Sequence, residues 1–122
     1  MVVQEGDVYW YDFGDPQGSM PGYLRPVVVV QGELFNASAL ATVVVCAITG
    51  NMSLIQHPGN VGITRGEAGL SKDCVAVVSQ VFTVDREYLG DYIGRFSTGR
   101  LATIRLGIRL ILGDDDAVDR VL

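Results

Sequence analysis

Short apolar runs separated by turn formers fill the chain up to residue 96, after which the apolar spacing lengthens. Asp7-Val8-Tyr9-Trp10-Tyr11-Asp12-Phe13 is aromatic-rich and roughly alternating, which predicts a strand with one half-buried face. Residues 26–31 and 42–47 are β-branched runs bounded by polar residues or glycine, so both predict strands buried on two sides. Residues 60–64, 74–79 and 82–85 predict three more, with a polar turn region at 65–73. Five or six short strands joined by brief turns fit a small barrel or sandwich better than alternating β–α units.

From Ser97-Thr98-Gly99, which offers a helix cap, Leu101, Ile104, Ile108 and Ile111 recur at near-helical intervals, and Gly113 is placed to stop the helix. The pattern therefore predicts a mainly β chain with one C-terminal α-helix. Residues 15–22 concentrate turn formers in a loop longer than an ordinary hairpin connection, and such loops often carry function. Residues 52–59 lack periodicity and predict a second mobile loop. The organisation expected is one domain over residues 1–113 followed by a short, frayed acidic tail at 114–122.

Composition narrows the class. Hydrophobic residues make up 48% of the 122, enough for a core without disulfides or metal. No basic stretch followed by an apolar one opens the chain, and no apolar run approaches the roughly 18 residues of a membrane helix, so a soluble, cytoplasmic protein without membrane contact is expected. Cys46 and Cys74 each sit in an apolar run and read as small buried hydrophobes. With one histidine, no C-x-x-C and no H-x-x-E spacing, no metal site and no cofactor are expected. The net charge of −5 is the wrong sign for holding phosphates by bulk electrostatics. Four acids and one base of that balance lie in the tail; the remainder carries 10 acids and 8 bases, or −2, so any site for phosphates would rest on a few placed arginines.

Five features follow in order: Gly6-Asp7-Val8-Tyr9-Trp10, Leu24-Arg25-Pro26-Val27-Val28-Val29-Val30, Ala47-Ile48-Thr49, Gly69-Leu70-Ser71-Lys72-Asp73-Cys74-Val75 and Gln80-Val81-Phe82-Thr83-Val84-Asp85. Ile93-Gly94-Arg95 precedes the last helix. In this ordered set, from about Glu5 to Leu112, the chain resembles the MazF/PemK toxins. The resemblance implies a small SH3-like β-barrel, a homodimer, and a toxin endoribonuclease that cuts single-stranded RNA or mRNA without a metal. It further implies a 2′,3′-cyclic phosphate product and inhibition by a small antitoxin of the MazE type with an acidic, largely disordered tail.

Two residues carry the chemistry. Arg25 stands at the mouth of a buried strand before a proline that keeps the backbone extended, and a fixed guanidinium there can stabilise the charge of an attacked phosphate. The alternative is an Arg–carboxylate pair that stiffens the strand. Thr49 ends a strand where a Gly/Asn loop begins; the resemblance implies that its hydroxyl donates to a phosphate oxygen, and the alternative is a strand-end cap. Ser19, Asn51, His57, Ser79 and Gln80 are the expected RNA contacts. A lone His57 supplies only half of a two-histidine mechanism and ranks below Arg25. Tyr9, Trp10, Tyr11 and Phe13 could stack bases, with at least two of them expected in the core. The loop Gly18-Ser19-Met20-Pro21 lacks the glutamate frequent in the family, and Val77-Val78-Ser79 replaces the Arg-x-Asp of some plasmid-borne members. The rival reading is an inactive barrel that binds RNA or protein.

Overall fold

The computed structural model describes residues 2–121. Six strands form one antiparallel, curled sheet: β1 (Asp7–Asp12), β2 (Leu24–Val29), β3 (Thr42–Thr49), β4 (Val61–Ile63), β5 (Cys74–Asp85) and β6 (Tyr92–Arg95), in the spatial order β4-β5-β3-β2-β1-β6. Every neighbouring pair runs antiparallel. A four-residue helix, α1 (Glu33–Asn36), joins β2 to β3, and α2 (Thr98–Ile111) follows β6. The side chain of Ser97 caps α2 by accepting from Arg100 N. No helix of the described residues is long and apolar enough to cross a membrane.

Strand alternation divides the core between the two faces of the sheet. Val8, Val28, Cys46, Ile48 and Ala76 pack with Phe96, Leu101 and Ile104 beneath α2. Tyr9, Val27, Val29, Val43, Val45 and Val84 gather on the opposite face with Val3 and Leu89. Because both faces are buried, the central strands read as unbroken valine runs rather than as alternating patterns.

The strands of residues 74–79 and 82–85 are one strand, β5, and it bends. Its pairing with β3 jumps from Cys46↔Val81 to Ile48↔Ala76, so that residues 77–80 bow out against Ala47 alone. The curl brings the edges β4 and β6 towards each other. The turn after β4 packs on β6 so closely that a Cβ on Gly94 would meet the Ala68 carbonyl, and one on Gly69 the Ile93 carbonyl. Those glycines allow the half-barrel to close.

Three segments depart from the sequence reading. Residues 52–59 contain a 3-10 turn, Met52–Gln56, capped by the Asn51 side chain, which accepts from Ser53 N and from the Ser53 hydroxyl. β6 and α1 were not expected; each is short and lacks a run of its own. The acidic tail is not frayed: it forms α3 (Asp115–Val121), Ala117 is fully buried, and Asp114 caps the turn while pairing with Arg109 of α2. Acids in its first turn favour the helix through the macrodipole, which a composition-based reading of the tail overlooks. The Arg109 hydrogen bond holds the Asp114 carboxyl below its ordinary range.

Candidate active site

The hairpin between β1 and β2 delivers Arg25. At its neck Phe13 N donates to Tyr23 O at 2.9 Å and Tyr23 N donates to Gly14 O at 2.6 Å. Tyr23 lies at φ 56°, a left-handed conformation that costs a non-glycine residue about 1 kcal/mol, so this pairing holds the turn against local preference. Gly22 lies so near the Pro16 ring that a Cβ would fall 2.5 Å from it. The Gly22 carbonyl accepts from Arg25 Nε at 3.2 Å, which aims the guanidinium.

Val27 pairs with Ala47, so continuing the β2–β3 register brings Arg25 beside Thr49. Arg25 Nη1 donates to Thr49 Oγ1 at 3.4 Å, and Asn51 N donates to the same oxygen at 3.2 Å. With two N–H groups directed at its oxygen, the Thr49 hydroxyl has its own proton to offer outward.

Two cavities flank this pair and share Arg25, Ile48, Thr49, Gly50 and Lys72. One, of about 380 Å³, is walled by apolar and aromatic groups including Trp10, Leu24 and Tyr92. The other, of about 340 Å³, is polar and holds Ser19, Asn51 and Gln80. The β5 bow brings Gln80 to the site, where Nε2 donates to Ser19 O at 3.4 Å. Ser79 and His57 are exposed and line neither cavity. Of the four aromatic residues in question, Tyr9 is buried, Tyr11 and Phe13 stack edge-to-face at 4.8 Å, and Trp10 is the one that lines either of these two cavities.

Lys72 was not singled out as a site residue. Its Nζ lies over Gly50, where a Cβ would stand only 2.7 Å away. The signal was present in Ser71-Lys72-Asp73, but nothing in the sequence says that the turn before β5 folds back onto Thr49 and Gly50. Among the described residues neither cavity is lined by Asp, Glu or His, and neither Arg25 nor Lys72 joins a salt bridge. Cys74 touches the larger cavity, but burial pushes its thiol up to about 11, so it is protonated and a poor nucleophile at neutral pH. No group of three or more potential metal ligands occurs among the described residues. Two cations and a hydroxyl donor without a carboxylate are chemically suited to an oxyanion such as a phosphate diester.

The chain is 37% identical over 112 residues to endoribonuclease MazF6 of Mycobacterium tuberculosis, covering 92% of this chain and 98% of that protein. It is 33% identical to endoribonuclease MazF of Staphylococcus saprophyticus, covering 92% of each. Its fold resembles the crystal structure of MazF from Deinococcus radiodurans with a TM-score of 0.75 at 21% identity, over 93% of this chain and 98% of that one. It also resembles a mycobacterial endoribonuclease solved with its cognate antitoxin, with a TM-score of 0.73 at 22% identity, covering 91% and 95% of the two chains. The model of the PemK-like, MazF-like toxins of type II toxin–antitoxin systems matches residues 4–112, and the chain with this half-barrel and arginine–threonine pair belongs to that family.

Proposed function

We propose that this chain is a toxin endoribonuclease that cuts single-stranded RNA sequence-selectively, without a metal, by attack of a 2′-hydroxyl on the adjacent phosphate. The observation that carries the reading is the Arg25–Thr49 pair, set between two cavities that no described acid lines. The Arg25 guanidinium neutralises the charge that gathers on the non-bridging oxygens as the pentacoordinate phosphorus forms. Thr49 donates its free hydroxyl proton to one of those oxygens. The products are a 2′,3′-cyclic phosphate and a 5′-hydroxyl. Ser19, Asn51 and Gln80 face the flanking nucleotides in the polar cavity, and Ser79 and His57 contact RNA only where it leaves the cavity. Named endoribonuclease relatives, one with its cognate antitoxin, support an RNA substrate and an antitoxin of the MazE type; a homodimer acting in the cytoplasm completes the reading.

An inactive binding module is the second reading, and one observation favours it: neither cavity offers a described carboxylate or imidazole as general base. Incubation of the purified protein with a long RNA in EDTA separates the two. Discrete fragments with cyclic-phosphate ends support the nuclease, and intact RNA after prolonged incubation leaves the binding module. Sequencing the fragment ends then gives the cleaved motif.

A further inference from the structure

Cleavage of a phosphodiester by its own 2′-hydroxyl needs more than charge on the non-bridging oxygens. The departing 5′-oxygen leaves as an alkoxide unless it receives a proton as the bond breaks. A guanidinium is a poor proton donor at neutral pH, and Thr49 and Arg25 are both committed to the phosphate in the reading above. Among the remaining protic side chains of the cavities, the Ser19 and Ser71 hydroxyls and the Asn51 and Gln80 amides are too weakly acidic to protonate an alkoxide in step with its departure, Cys74 is only 3% exposed, and Tyr92 packs edge-on to Tyr9 at 5.5 Å and lines only the apolar cavity. Lys72 is different. It lines both cavities, is exposed, and brings its ammonium over Gly50, next to Thr49, from the turn before β5 rather than from β2. A Cβ on Gly50 would lie 2.7 Å from the ammonium, so the glycine leaves it room.

We propose that Lys72 is a catalytic residue of this site, the general acid that protonates the 5′-oxygen leaving group; the inference rests on the ribonuclease reading above. A 2′-oxygen lone pair forms the new O–P bond while the 2′-proton passes to solvent water. The P–O5′ bond breaks with its electron pair going to O5′, which takes a proton from Lys72 Nζ. The neutral amine left behind is reprotonated from solvent. Arg25 and Lys72 thus divide the work, the first holding charge and the second moving a proton.

The test compares single-turnover cleavage of a short RNA spanning the mapped site with that of the same RNA carrying sulfur in place of the bridging 5′-oxygen. Sulfur departs as a stable thiolate and needs no acid. K72M should lose about 10²- to 10⁴-fold on the oxygen substrate, the usual worth of general acid catalysis, and stay within a few-fold of wild type on the sulfur substrate. K72R keeps the charge but not a readily lost proton, so it should remain slow on oxygen. Equal slowing of K72M on both substrates, no slowing on either, or full recovery by K72R would each overturn the assignment. A wild-type protein that cuts neither RNA brings down the ribonuclease reading itself, before any variant is made. Because Lys72 is exposed, unchanged melting temperatures separate these results from misfolding.

Discussion

Arginine is used in opposite ways on the two sides of this molecule. Along α2 and β6, Arg95 meets Asp7 at 2.7 Å, Arg100 meets Glu67 at 2.7 Å, Arg105 meets Glu5 at 3.0 Å and Arg109 meets Asp114 at 2.8 Å. At the cavities, Arg25 and Lys72 meet no acid among the described residues. The paired side holds elements together, and the unpaired side keeps positive charge available for a ligand. A net charge of −5 therefore does not argue against RNA, because part of the excess acid lies in α3, whose described residues line neither cavity. What a phosphate meets within a Debye length of about 8–10 Å is the local set, not the total.

The contrast is broken most severely at Arg25. Arg25→Ala should slow cleavage by about 10²–10³ with the melting temperature little changed, since the side chain pairs with no acid and only its guanidinium donates to neighbouring oxygens. A rate within a few-fold of wild type would make Arg25 a strand-stiffening residue. Thr49→Val keeps the shape and removes one donor to a charged oxygen, worth about 1.5 kcal/mol or roughly tenfold in rate. An unchanged rate returns Thr49 to a strand-end role.

The paired side should answer in stability. Asp7 is buried and accepts from Arg95 Nε, Gln4 N and Tyr9 OH. Burial first, then the Asp7 charge, pushes the Tyr9 hydroxyl up to about 12, against 10.0 when exposed. Its contribution is complete below pH 10 and is lost as pH rises from 10 towards 12, because the unfolded chain ionises first. Thermal melts across that window should show a slope that Tyr9→Phe reduces. Arg100→Gln breaks the partly exposed pair with Glu67 and should cost about 0.5–1 kcal/mol while leaving cleavage unaffected. A large loss of activity there would extend the RNA site onto α2.

The smallest effect is expected from the tail. Truncation after Gly113 removes α3, which contacts α2, together with the Asp114–Arg109 pair, and the described residues of this segment line neither cavity. RNA affinity and its salt dependence should therefore match the full chain, as measured at two salt concentrations. Tighter binding with a steeper salt slope after truncation would show that the acidic segment competes with phosphate.

The unbroken valine runs and the near-helical Leu101, Ile104, Ile108 series carried the strands and the closing helix, because burial on two faces and on one face leave different periods. Arg25 and Thr49 stood out as candidates by their places at strand ends, together with the ordered motifs, and the structure sets the two side chains in contact. The segments missed were those whose structure depends on distant partners. β6 exists because β1 offers it an edge, and α3 lies against α2 with Ala117 buried. Local sequence determined which residues pair within short elements and which arginine precedes the proline. Only the tertiary structure decided that residues 77–80 bow out to present Gln80, that Ser79 and His57 stand aside, and that Lys72 comes to rest over Gly50. The reason is physical: periodicity records how a segment meets water and core, whereas a site is made by contacts between segments tens of residues apart, and no local pattern encodes their distance.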